Sequence, residues 1–122
     1  MDILLAVTVA YVIFLIISKL TAPKVEHVSG KMLDEMLGDK TNKKQYIDVR
    51  TAGEFNSRKV KGFKNIPLDQ LHKRMKEIDA DMPVVLMCAS GSRSMKAAKI
   101  LNKNGYKTIV NVKGGISSYP GK

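Results

Sequence analysis

A single cysteine stands among small polar residues in Cys88-Ala89-Ser90-Gly91-Ser92-Arg93-Ser94, directly behind the apolar run Val84-Val85-Leu86-Met87. A strand that ends in such a loop and re-enters a helix aims several backbone N–H groups at one point, and the helix N-terminus adds positive potential there. Gly91 permits the backbone twist that the loop needs. A thiol held in that cradle has a lowered pKa and is partly thiolate at neutral pH, the form that attacks as a nucleophile. Arg93 is expected to add a fixed cation. Cys88 is therefore the expected catalytic nucleophile, with Ala89, Ser90, Gly91, Ser92, Arg93 and Ser94 as the substrate-binding loop. The plain alternative is an inert buried thiol closing a strand. Ser90, Ser92 and Ser94 read equally as turn and cap residues, and Ser94 also as a partner of the thiolate.

Asp48 and Arg50, in Tyr46-Ile47-Asp48-Val49-Arg50, are expected either to shape the pocket or to act structurally. In the structural reading Asp48 bonds loop backbone and Arg50 pairs with Glu54 to hold a turn. Lys59 and Lys61 read as anion guides or as ordinary surface lysines.

The elements that must position these residues alternate in type. Ser29 caps a helix with apolar positions Met32, Leu33, Met36 and Leu37, closed by Gly38. Residues 39–44 are a polar loop, and Tyr46–Val49 is a buried strand. A second extended piece runs from Lys59-Val60 to Ile66, stopped by Pro67. Leu68, Leu71, Met75 and Ile78 recur at helical spacing. Val84–Met87 is the strongest strand, followed by a helix from about Arg93 to Asn104 with Gly105 beyond its end. Ile109–Val112 is the last strand, broken by Gly114-Gly115. Alternating strands and helices predict an α/β domain over residues 24–122, a mostly parallel central sheet flanked by helices.

Several of these blocks resemble one known family. Tyr46–Arg50 with Glu54-Phe55, then Gly62 and Asn65-Ile66-Pro67-Leu68, is similar to the front half of a rhodanese-like domain. Cys88–Ser94 resembles its active-site loop and Asn111-Val112-Lys113-Gly114-Gly115-Ile116 its closing segment. The resemblance implies a single-domain sulfurtransferase. Cys88 would take a sulfane sulfur from a small anionic donor such as thiosulfate, and a protein thiol, a small-molecule thiol or another nucleophile would remove it. It implies no metal and no organic cofactor. Three positions depart from the family's usual pattern. Ala89 stands where an arginine often follows the cysteine, Arg58-Lys59-Val60 replaces a frequent Gly-His-Ile, and Tyr119 takes the place of a late aromatic, often Trp. The terminal helix is expected to be short or missing.

A non-catalytic rhodanese-like binding module is the alternative, and the intact Cys, Gly and Arg argue against it. A cysteine-dependent phosphatase or arsenate reductase typically has five residues between Cys and Arg. Here there are four, and Met87 rather than His precedes the cysteine.

Composition bounds the rest. The chain has 122 residues, 44% of them hydrophobic and 26% charged, which fits one globular domain and argues against disorder. One cysteine excludes an internal disulfide and a Cys-rich zinc site, and His27 and His72 are the only histidines. The net charge is +10, but the lysines are spread along the chain with no nucleic-acid-binding motif, so no nucleic-acid partner is expected. Residues 3–17 read ILLAVTVAYVIFLII without a charge. As a helix, residues 3–20 would span about 27 Å, close to a ~30 Å hydrocarbon core. Met1-Asp2 lacks the positive start of a signal peptide, and Pro23 directly after Thr21-Ala22 disfavours cleavage. Residues 1–20 are thus expected to be an uncleaved single-pass transmembrane anchor and 21–23 a linker. Lys19, Lys24 and Lys31 on one side and Asp2 on the other place the catalytic domain in the cytoplasm, at the cell membrane.

Overall fold

The structure is a computed structural model that describes residues 2–21 and 24–120. Helix α1 (Ile3–Thr21) starts at Asp2, whose carboxylate accepts the Leu4 N–H at 3.3 Å. Its stretch Ile3–Leu20 is long and apolar enough to cross a membrane, and none of it is buried against the rest of the chain. Thr21 continues this helix instead of opening the linker; Ala22 and Pro23 lie outside the described residues.

The remaining elements are β1 (Val25–Val28), α2 (Gly30–Gly38), β2 (Gln45–Asp48), α3 (Ala52–Ser57), β3 (Lys64–Asn65), α4 (Leu71–Arg74), β4 (Val84–Met87), α5 (Ser92–Lys103) and β5 (Ile109–Val112). The five strands form one parallel sheet in the order β1-β5-β4-β2-β3. All residues of β4 and β5 are buried, as a sheet covered on both faces requires.

Strand alternation sorts the core into two layers. Val84, Leu86 and Cys88 face Leu71, Ile78, Ala97, Ala98 and Leu101 on the α4–α5 side. Val85, Met87, Val110 and Val112 face Leu33 of α2 with Val60, Phe63 and Ile116. The chain leaves β2 for β3 on one side of the sheet centre and leaves β4 for β5 on the other. The crevice between the carboxyl ends of β2 and β4 is therefore the switch point where an α/β sheet receives its ligand. Cys88 follows β4, and Val49-Arg50 follows β2.

Three expectations change. Strand β1, Val-Glu-His-Val, carries too little apolar signal to be read locally; it is an edge strand held by its register on β5. The piece from Lys59 to Ile66 is mostly a turn, closed by the Phe63 N–H on the Val60 carbonyl, and only Lys64–Asn65 pairs. The periodic run Leu68–Ile78 is one turn of α-helix between two 3-10 turns, Leu68–Gln70 and Met75–Glu77. The Tyr106 hydroxyl, within 2.8 Å of both the Met75 and Ile78 carbonyls, fixes the end of that run. α2 begins as expected, with Ser29 Oγ accepting the Met32 N–H. After β5, residues Gly115–Ser118 form a 3-10 turn, and no terminal α-helix follows among the described residues.

Candidate active site

Cys88 is 1% exposed at the mouth of β4. Its Sγ accepts the Gly91 N–H at 3.0 Å and lies 3.4 Å from Ser94 Oγ, one turn into α5. Gly91 has φ +108°, a left-handed conformation that other residues resist, and this twist turns its N–H back on the sulfur. The closing segment clamps the loop from outside. The Ile116 N–H donates to the Cys88 carbonyl at 2.8 Å, and the Ser117 hydroxyl donates to the Ala89 carbonyl at 3.0 Å. Gly115, also at positive φ, lies so close that a methyl group there would overlap the backbone of Cys88 and Ala89.

Burial pushes the Cys88 thiol pKa up. The Ser94 hydroxyl, when its hydrogen points to the sulfur, then the N–H groups of Ser94, Gly91 and Ser90, outweigh it, and the net shift is downward. The direction and the N–H cradle agree with the sequence expectation; the place of Arg93 does not. Arg93 does not stand free over the loop as a fixed cation. Its guanidinium makes a two-pronged pair with the Glu54 carboxylate at 2.6 and 2.9 Å. Glu54 is held at a pKa of about 2, chiefly by Arg93 and then by the Thr51 N–H. The anion at Cys88 is thus met by dipoles, with Arg93 acting on it only at longer range.

The expected pairing of Arg50 with Glu54 is likewise corrected. Arg50 takes the carboxylate of Asp48 at 2.7–3.0 Å, and both side chains are almost wholly buried. Its remaining N–H groups reach the Glu54 carbonyl at 3.2 Å and the Arg58 carbonyl at 2.5 Å. Arg50 therefore does hold the turn, through carbonyl oxygens, because Glu54 is already committed to Arg93. Asp48 also accepts the Arg50 N–H, as the structural reading expects. Asn65 ties the same segment through the carbonyls of Asp48 and Arg50. These residues frame the crevice beside the loop; they do not touch Cys88 Sγ.

Ser90 and Ser92 are exposed on the loop, and Ala89 and Arg93 are half-buried. Lys59 lies over the Phe55 ring, and Lys61 is exposed. Two participants escape the sequence reading. Glu54 fixes Arg93, and Asn111, 3% exposed, meets Ser94 at 2.5 Å. The signal for Asn111 is present: a lone amide inside the apolar strand Ile-Val-Asn-Val. Among the described residues no cluster of His, Cys, Asp and Glu could hold a metal ion.

The rhodanese-like domain family matches residues 29–122. The protein YqhL of Bacillus subtilis (strain 168) is 38% identical over 120 residues, spanning 98% of this chain and 93% of its own. A sulfurtransferase of Allochromatium vinosum is 32% identical over 95 residues, 78% of this chain and 88% of that protein. The crystal structure of a rhodanese-like domain protein from Staphylococcus aureus superposes with a TM-score of 0.73 at 27% identity, over 80% of this chain and 93% of that one.

Proposed function

The chain belongs to the rhodanese-like domain family, and from that premise we propose that it is a sulfurtransferase acting through a Cys88 persulfide. In the first half-reaction the Cys88 thiolate attacks the sulfane sulfur of a small anionic donor. With thiosulfate, a new S–S bond forms at Cys88, the donor's S–S bond breaks, and sulfite leaves with the bonding electron pair. In the second, a thiolate acceptor attacks the outer sulfur, and the Cys88 thiolate departs. The outer sulfur is anionic between the two steps. The N–H groups of Ser90, Gly91 and Ser94 that meet the thiolate are the dipoles available to stabilise it, much as an oxyanion hole does.

One observation carries this reading. The thiol sits inside a ring of inward N–H donors, with its pKa lowered by them in spite of burial. The four-residue spacing to Arg93 gives a tight ring that suits one sulfur atom better than a tetrahedral oxyanion. Incubation with thiosulfate is expected to add the mass of one sulfur to the chain, and Cys88→Ser is expected to abolish the gain while remaining folded. Sulfur loading that survives in Cys88→Ser, or efficient hydrolysis of aryl phosphates by the natural chain, would refute it.

We further propose that α1 anchors the chain in the cell membrane, with residues 24–122 on the cytoplasmic side. The exposed apolar surface of Ile3–Leu20 and the one-sided placement of Lys19, Lys24 and Lys31 support this.

A further inference from the structure

The buried hydroxyl of Ser94 has one hydrogen and three neighbours able to receive it. Its Oγ lies 2.5 Å from Asn111 Oδ1, 3.0 Å from the Gly91 carbonyl oxygen and 3.4 Å from Cys88 Sγ. The Gly91 carbonyl already accepts the Met95 N–H at 3.3 Å. The short contact therefore makes Asn111 Oδ1 the acceptor. Ser94 Oγ then turns its lone pairs to the sulfur. That suits a thiol, whose S–H can donate, but it opposes a thiolate or persulfide anion, which needs a donor.

Asn111 leads outward from this point. Its Nδ2 lies 3.2 Å from Nδ1 of His27, an exposed residue on the edge strand β1. Strand alternation puts His27, Asn111 and Cys88 on the same face of the sheet, the face that α5 covers. With the amide nitrogen towards it, His27 Nδ1 is an acceptor. A half-turn of the amide exchanges its two ends. Nδ2 then donates to Ser94 Oγ, the hydroxyl hydrogen is released towards Sγ, and Oδ1 faces His27 Nδ1, which must now carry a hydrogen.

We propose that Asn111 and His27 are positioning residues that set the direction of the Ser94 hydroxyl. One orientation of the Asn111 amide serves the thiol and the other serves the sulfur anion, and His27 is the surface end of the pair. No proton passes along the chain. Cys88 releases its proton to solvent, and the exposed imidazole exchanges its own hydrogens with solvent. The charged groups near His27 are Lys113, which shares its cleft, and Glu26, its neighbour on β1. Ser90, Gly91 and Gly114, which complete that cleft, carry no charge.

The inference rests on Cys88 being the reactive thiol, and its test needs no sulfur donor. The full chain is prepared in detergent with isotope-labelled histidine and the exposed His72 replaced (His72→Gln), so that His27 gives the only ring signals. The ring-nitrogen shifts show which nitrogen bears the hydrogen. They are followed as pH carries Cys88 from thiol to thiolate, and the same titration is run on Cys88→Ser, which forms no thiolate. His27 in the natural background is expected to change from the Nε2–H form to a form with hydrogen on Nδ1 as the thiolate appears. The change is expected to be lost in Cys88→Ser and in Asn111→Leu. Identical His27 behaviour with and without the Cys88 thiol would overturn the proposal. The Cys88→Ser comparison alone decides the matter if Asn111→Leu fails to fold, and it stands whether or not thiosulfate loads the chain.

Discussion

At Cys88 two opposing effects meet, and their balance sets the chemistry. Removing a thiolate from water raises its pKa, while a hydroxyl and several N–H groups aimed at the sulfur lower it. The donors win, so alkylation of Cys88 is expected to show an inflection below the ~8.5 of a free thiol. Ser94→Ala removes the largest of the stabilising contacts and leaves the burial in place. The inflection is then expected to rise, with the alkylation rate at neutral pH falling several-fold. An unchanged inflection in a folded Ser94→Ala chain would mean that the loop N–H groups hold the anion without the hydroxyl.

Two ion pairs fix the elements around the loop, and their burial separates their energetic weight. α3 starts with a capping box in which Thr51 Oγ1 accepts the Glu54 N–H while Glu54 accepts the Thr51 N–H. The same carboxylate binds Arg93, so a short helix after β2 is stitched to α5. Both side chains are about one-third exposed, and solvent screening keeps such a pair to about 1 kcal/mol or less. Because Glu54 is lowered from 4.5 to about 2 on folding, its contribution is present above 4.5 and lost as pH falls through about 2. Glu54→Gln, which keeps the cap and drops the charge, is expected to cost that amount in urea unfolding at neutral pH, and to cost progressively less on acidification. The Asp48–Arg50 pair is different, since Asp48 is 0% exposed. Arg50→Ala strands a buried carboxylate and is expected to cost about 3–5 kcal/mol. Urea midpoints of the two variants at neutral pH check both, and similar losses would contradict this ranking.

The whole molecule joins a covered α/β sheet to an uncovered apolar helix. Ile3, Leu4, Phe14 and Leu20 are each more than 60% exposed, an apolar surface over 18 residues that fits the proposed anchor. Fractionation of cells is expected to place the chain with membranes, and protease added from outside is expected to leave residues 24–122 intact until the membrane is opened. A chain recovered from the soluble fraction, or cleavage of the domain in intact cells, would refute the anchor or its direction.

The sequence by itself determined the features that depend on short range. Val84–Met87, four consecutive apolar residues, and Ile109–Val112, three apolar residues around Asn111, lie between breakers and read as strands, and the structure has them at those residues. Ser29 caps α2, and Cys88 stands at a strand–loop–helix junction, for the same local reasons. The helix α3, opened by the capping box Thr51-x-x-Glu54, is too short to leave a periodic pattern along the chain. Only the tertiary structure decided the partners. Arg50 has Asp48 two residues away and Glu54 four away, and either is sterically within reach of the sequence. Glu54 is withdrawn from Arg50 by Arg93, 39 residues distant, which α5 brings across the crevice. Strand β1 exists because β5 offers it an edge, and Asn111 is a partner of Ser94 because the parity of β5 turns it towards α5. Electrostatic and hydrogen-bond choices of this kind depend on which groups meet in space, and composition and spacing along the chain do not contain that distance.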